Sequence, residues 1–180
     1  QNLEERLVNL EKIQEKILEG NCIGDLATAY LQIDEVETAI SHLQRALAIH
    51  RETGNKRSEG ICTGNLGELF YKTNNIDAAI HHLEQAIPIC DEAFPIASGD
   101  FKGTLALIHM KKGNIEKALS LLENGEPQIA VHPIGYGKFL CKKAQVHHIA
   151  KRSKIALQAL SQAEEIVKET HTTSHSELSL

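Results

Sequence analysis

The sequence predicts an all-α protein built from about four stacked, antiparallel helix pairs. Three observations predict it. A residue pattern recurs about every 40 residues, small and apolar residues fall at helical spacing inside each copy, and short joints bearing Asn or Gly separate the segments. Composition agrees. Of 180 residues 42% are hydrophobic, only 4% are aromatic and Trp is absent. The apolar mass is mostly Leu, Ile and Ala, which suits helices packed through small side chains better than a sandwich of β-branched and aromatic residues.

The first copy, Gly24-Asp25-Leu26-Ala27-Thr28-Ala29-Tyr30, lies over Gly64-Asn65-Leu66-Gly67-Glu68-Leu69-Phe70 at an offset of 40 residues. At the same offset of 40, Glu37 to Ala46 lies over Asp77 to Ala86. A third copy follows 39 residues later, with Leu105-Ala106, His109, Gly113-Asn114-Ile115-Glu116-Lys117-Ala118 and Leu122. A looser fourth comes 38 further on, with Ala144, His147, Ala156, Leu160 and Ala163. Periodicity should be sought before any single element, because missing it miscasts the whole fold.

Within each copy the first helix carries its small or apolar residues at i, i+3, i+4 and i+7, as in Ile23, Leu26, Ala27 and Tyr30, and the second carries Ala39, Leu43 and Ala46. Both spacings put one stripe on one helix face. Gln32-Ile33-Asp34, Thr73-Asn74-Asn75 and Lys112-Gly113-Asn114 end the first helices, and Thr53-Gly54-Asn55-Lys56 joins the first two copies. Asn and Gly tolerate the left-handed backbone that stops a helix. The expected boundaries are an N-terminal helix at 1–19 that caps the first repeat or ends a preceding one, repeats at 20–59, 60–98, 99–136 and 137–170, and a frayed polar tail at 171–180. Asn124-Gly125-Glu126-Pro127 is expected to break the third repeat early, leaving a shorter second helix and a longer loop. The chain begins with Gln1 rather than Met and is expected to be a piece of a longer protein.

Leu26-Ala27-x-x-Tyr30 and Leu66-Gly67-x-x-Phe70, followed by Ala39…Leu43…Ala46 and Ala79…Leu83…Ala86, resemble the tetratricopeptide repeat. Two features depart from that signature of about 34 residues: no Trp stands at its first position, where Ile23, Thr63, Lys102 and Leu140 sit, and the closing Pro is missing. The longer unit and the Gly64-Asn65-Leu66-Gly67 stretch resemble the variant of kinesin light chains, mitotic-orientation scaffolds and bacterial signalling proteins, over about residues 20–168. The resemblance implies a right-handed superhelix whose first helices line a concave face. By alignment that face includes Asn21, Gly24, Asp25, Thr28 and Leu31 in the first repeat, and Ile61, Gly64, Asn65, Glu68, Tyr71 and Lys72 in the second. The third offers Gly103, Leu107, Met110 and Lys111, and the fourth Lys138, Cys141, Gln145 and His148. These positions lack the recurring Lys, Asn and Arg of the carboxylate clamp in chaperone-binding relatives.

Gly24, Gly64 and Gly103 occupy one position in three successive first helices. Glycine inside a helix costs about 1 kcal/mol relative to Ala, so the series needs a reason: a smooth strip for a bound chain, with Asn65 hydrogen-bonding it, or close helix packing. Leu26, Leu66 and Leu105 are expected to fill the space between helices, and Ala27, Gly67, Ala106 and Ala144 to let them approach.

Other functions find less support. With 24 acidic and 19 basic residues the net charge is -5, and Lys142-Lys143 and Lys151-Arg152 are isolated pairs, not a basic face for nucleic acid. No apolar run approaches the roughly 20 residues that span a bilayer, and no secretory signal is read. His81-His82 and His147-His148 lack the i, i+4 spacing of a helical metal site, while His109 and His147 stand where the signature has Tyr and are expected to be packed and hydrogen-bonded. Cys22, Cys62, Cys90 and Cys141 form no CxxC pair and are expected to be free thiols in a reducing cytoplasm, with the repeat-equivalent Cys22 and Cys62 filling core space. No nucleophile elbow, P-loop or HExxH is present. No enzyme activity, cofactor or metal is expected.

The expected function is a protein–protein interaction module, part of a larger signalling or regulatory protein, holding a peptide or protein segment in its groove. The alternative is a ligand-responsive sensor domain that switches an attached output domain. Homo-oligomerisation through terminal repeats is a third reading.

Overall fold

The computed structural model describes the backbone of residues 2–177 and the side chains of residues 2–170; the tail expected at 171–180 is helical in backbone as far as Glu177 and otherwise lies outside the described residues. Among the described residues every regular element is an α-helix. The chain divides into two compact units, Gln1–Ala93 and Phe94–Leu180. The first holds α1 (Leu3–Gln32), α2 (Val36–Glu52), α3 (Lys56–Lys72) and α4 (Ile76–Ala93). The second holds α5 (Pro95–Lys111), α6 (Ile115–Ile129), α7 (Pro133–Ile149) and α8 (Ser153–Glu177). The dominant contacts are within the pairs α1–α2, α3–α4, α5–α6 and α7–α8.

Five joints close in one way. The residue just past the helix turns left-handed, at Asp34, Gly54, Asn74, Gly113 and Lys151. The next N–H then donates back to a carbonyl five residues earlier: Glu35 to Tyr30 at 2.9 Å, Asn75 to Phe70 at 2.8 Å, Arg152 to His147 at 2.8 Å. This pattern satisfies carbonyls that a helix end leaves without a donor. Lys151 is the one whose residue type gave no warning.

Each pair is held at points where a side chain is missing or small. Ala27, Ala106 and Ala144 are buried, and a Cβ on Gly67 would stand 2.8 Å from Leu83 Cγ and 3.1 Å from the Leu83 backbone nitrogen. A second approach lies nearer the open end of the pair. A Cβ on Gly20 would meet His50 Cε1 at 2.7 Å, one on Gly60 would meet Cys90 Sγ at 2.6 Å, and one on Gly99 would meet the Gly125 carbonyl at 2.7 Å. In unit 1 the helices close over Ile23, Ala39, Leu43, Ala46, Leu47, Leu66 and Leu69. The aromatic position of the signature stacks on the second helix: Tyr30 lies over His42 at 5.1 Å and Phe70 over His82 at 5.2 Å between ring centroids. His109 and His147, at the same position in unit 2, are both buried. His109 Nδ1 meets the Asn114 amide at 3.3 Å, whereas His147 Nδ1 has no hydrogen-bond partner.

Four further expectations change. Residues 1–19 and the first helix of repeat one are a single helix, α1, 30 residues long; Gly20 sits inside it as a contact point for His50 and does not end it. Leu26 is 48% exposed, unlike Leu66 and Leu105 at 1% and 2%, because among the described residues α1 packs on α2 and carries no packed helix on its other side. The Asn124–Pro127 segment does not break α6, which runs through Pro127 to Ile129. It is shorter than α2, at 15 against 17 residues, but the loop before α7 spans only residues 130–132. Gly125 serves packing there, against Lys102 and the Gly99 carbonyl. Cys22 is exposed, so of the Cys22–Cys62 equivalents only Cys62 fills core space, as the buried Cys90 does.

Gly67→Ala is expected to lower stability by about 1–3 kcal/mol, because its Cβ has backbone in its way. Gly24→Ala is expected to raise it by about 0.5–1 kcal/mol, since nothing lies within 4 Å of a Cβ there. Leu66→Ala should cost about 2–5 kcal/mol, and Leu26→Ala well under half of that. Urea titrations of the four variants, read by circular dichroism, check both contrasts.

Candidate functional site

The two units treat the space between successive first helices differently. In unit 2, α5 packs on α7. Phe139 of α7 is fully buried, with its ring edge 2.9 Å from where a Cβ on Gly103 of α5 would be. Three residues on, Lys142 Nζ donates to Asp100 Oδ1 at 2.6 Å and to Thr104 Oγ1 at 2.8 Å, both on α5. Beside this staple, Lys143 Nζ meets Glu126 Oε2 at 2.7 Å and the Tyr136 hydroxyl donates to Glu126 Oε1 at 3.0 Å. An aromatic ring and a lysine thus close the α5–α7 face.

In unit 1 the same positions carry other residues. Gly24 of α1 corresponds to Gly103, and Cys62 of α3 to Phe139. Asn65 stands for Lys142, while Asn21 and Asp25 stand for Asp100 and Thr104. Neither the ring nor the lysine is there, and α1 and α3 share no packed face of the α5–α7 kind. A cleft of about 450 Å³ opens instead. Gly20, Asn21, Gly24, Asp25 and Thr28 of α1 line one wall, and Ser58, Ile61, Cys62 and Asn65 of α3 the other; Leu43 and His50 of α2 also line it. Asp25 is the one carboxylate among these residues, and there is no Lys or Arg.

The structure therefore brings Asn21, Gly24, Asp25, Thr28, Ile61 and Asn65 together. Leu31, Glu68, Tyr71 and Lys72 are not part of this cleft; Leu31 packs on the unit 1 core and Gly64 is buried. In unit 2 three residues expected on the concave face, Gly103, Leu107 and Met110, are buried. Leu107 and Met110 are 4% and 3% exposed and lie in the core with Ala118, Leu122 and Val146. Both are apolar, and α5 is covered by α6 and α7, so a position read as outward is inward. Gly103 serves close packing against Phe139. Lys111, Lys138, Cys141, Gln145 and His148 are exposed.

The alignment passed over Gly20 and His50. Gly20 and Gly60 repeat at the offset of 40, a signal present in the sequence. His50 is 1% exposed, and its Nδ1 has no hydrogen-bond partner. Burial pushes its pKa below the usual imidazole value, while a hydrogen bond with the Gly20 backbone pulls the other way. The Cys62 thiol is pushed up to about 11 by burial, which makes it a weak nucleophile. Among the described residues no helix is long and apolar enough to cross a membrane, and no group of three or more His, Cys, Asp or Glu is placed to hold a metal.

The tetratricopeptide-repeat family model matches residues 21–92. No curated protein matches the sequence. Among solved structures the fold is similar to that of BtubC (BKLC) from P. vanneervenii, with a TM-score of 0.66 over 84% of this chain at 14% identity. The chain spans 64% of the length of BtubC. It is similar also to a Podosopora anserina protein named as a candidate kinesin light chain, with nearly identical TPR-like repeats. A single-substitution form of that protein gives 21% identity and a TM-score of 0.61, covering 85% of this chain and 76% of that one. A further structure of such repeats from the same organism gives 20% identity and 0.58, over 84% and 76%. At these identities the likeness is one of fold: an all-α helical repeat.

Three histidines, each wholly or partly buried, give the fold a pH dependence. The pKa of His50 is lowered by burial; that of His82 by burial and by the nearby His81 and Arg51; that of His147 by burial, Lys143 and Arg152, with Glu126 opposing. A histidine whose folded pKa lies below its unfolded value near 6.5 contributes full stability above that value and loses it as pH falls. The urea midpoint is therefore expected to drop between about pH 7 and pH 5, with a smaller drop in His147→Gln. A midpoint unchanged over that range would contradict it.

Proposed function

From the match of residues 21–92 to the tetratricopeptide-repeat family, we propose that this chain is a protein-binding module whose α1–α3 cleft holds a peptide segment of a partner. Repeats of this family generally mediate protein–protein interaction. The observation that carries the reading is the cleft itself. It has apolar lining at Leu43 and Cys62, a backbone left bare at Gly24, and amide and hydroxyl groups at Asn21, Thr28, Ser58 and Asn65. Asn side chains both donate and accept, so they can pair with the amide groups of a bound chain, and Gly24 lets that chain approach the helix. A volume of about 450 Å³ takes a few side chains. The Cys62 thiol, buried in the cleft wall and with its pKa held up at about 11, offers apolar contact rather than attack. We place it in the cytoplasm, as part of a larger signalling or regulatory protein.

Peptides selected by display against the 180-residue chain test the reading. Gly24→Arg fills the cleft from a position with open space, and so leaves the fold intact. Selected peptides are expected to lose at least roughly tenfold in affinity to Gly24→Arg, and several-fold to Asn65→Ala, by titration calorimetry. Peptides that bind native chain and Gly24→Arg equally would place the site elsewhere.

A further inference from the structure

Unit 2 fills the equivalent space with its own side chains, and those side chains describe what unit 1 lacks. We propose that the α1–α3 cleft takes a partner segment bearing an aromatic ring and a lysine about one helical turn apart, which supply the contacts that Phe139 and Lys142 make in unit 2. The proposal rests on the peptide-binding reading above and names the chemistry of its ligand.

The ring follows from space. Gly103 has Phe139 against it, with the ring 2.9 Å from a Cβ position, whereas Gly24 has nothing within 4 Å. Cys62 takes the place of the ring and is buried at the cleft wall, so an aromatic side chain entering over Gly24 meets a thiol, Leu43 and glycine backbone. Burial of an aromatic side chain is a large apolar gain, and the thiol adds a sulfur–aromatic contact.

The lysine follows from charge. On α5 the residues facing Lys142 are one carboxylate and one neutral group, Asp100 and Thr104. On α1 the counterparts are again one neutral group and one carboxylate, Asn21 and Asp25, in the opposite order. The carboxylate is kept and the lysine is not: α3 offers Asn65, too short and uncharged to act as Lys142 does. Asp25 makes no ion pair among the described residues. A cleft whose charged lining is a single carboxylate attracts a cation and repels acidic segments. Phe139 and Lys142 are three residues apart on one helix, which sets the spacing of the ligand pair. His50, with its unpartnered Nδ1, adds a buried polar atom in the same cleft.

The probe is a helical Ala/Gln peptide carrying Phe and Lys at i and i+3, compared with Phe→Ala, Lys→Ala and Lys→Glu versions, by fluorescence anisotropy against the full chain. The Phe/Lys peptide is expected to bind best, with Phe→Ala and Lys→Glu each weaker by roughly tenfold. Asp25→Lys, at an exposed position, is expected to reverse the order of the Lys and Glu peptides. Cys62→Phe, which places in α3 the ring that α7 has, is expected to abolish binding, with Gly24→Arg as the second blocking variant if Cys62→Phe perturbs the fold. Equal binding of the four peptides, or an order that Asp25→Lys leaves unchanged, overturns the proposal. If display-selected peptides still occupy the cleft in that case, the peptide-binding reading survives without it; if no peptide is displaced by either blocking variant, both fall.

Discussion

The fold depends on how closely the two helices of each pair approach, and that distance is set by side chains that are absent. Gly20 faces His50, Gly60 faces Cys90, Gly99 faces Gly125, and Gly67 faces Leu83. A helical glycine costs about 1 kcal/mol relative to Ala. Here the cost is offset by partners driven into full burial, such as Leu83, Cys90 and His50. Interiors pack like crystals, so a single added methyl cannot be absorbed where the opposing atom is backbone. Once the pair is fixed, everything further within a unit follows from what one pair presents to the other. One pair cannot bury its stripe alone.

The joints enforce the same geometry from the ends. A left-handed residue followed by a donor reaching back five residues reverses the chain within about three residues, whatever the side chains are. The order of cost is Gly, then Asn and Asp, then Lys. Gly54 and Gly113 adopt that backbone freely, Asp34 and Asn74 at modest cost, and Lys151 at more. That Lys151 holds it indicates that packing of α7 on α8 dictates the turn rather than the reverse.

This division explains what could be read from the sequence. Helix pairs, joints and the aromatic position are local properties, repeated at a visible offset, so Tyr30, Phe70, His109 and His147 could be aligned and their place at the helix end foreseen. Exposure is not local. Leu26 and Leu66 are equivalent by alignment, and only the neighbour on the far side separates them. Leu107 and Met110 fell on an outward phase, and their apolar character was the better guide. Pro127 reads as a breaker, yet α6 runs through it and ends two residues later at Ile129. Six of the eleven residues named for the first two repeats line the cleft (Asn21, Gly24, Asp25, Thr28, Ile61 and Asn65), because phase along α1 and α3 survives in the pattern. The lining at Leu43 and His50 did not, because it comes from α2.

The cleft also shows how an array of near-equivalent units acquires one distinct site without a new element. Relative to α7, α3 has a ring trimmed to a thiol and a lysine trimmed to an amide. A sealed apolar void of that size would destabilise the core by several kcal/mol. An open cleft with a polar rim admits water, and the loss is correspondingly smaller. The helices do not close the gap, because α1 is held to α2: by Gly20 against His50, by Lys16 with Glu52, and by Arg45 with Glu19 at 3.0 Å. The pairing of α1 with α2 thus keeps open what α3 no longer fills. Binding there needs no collapse of the fold, only replacement of water by side chains that unit 2 has built in.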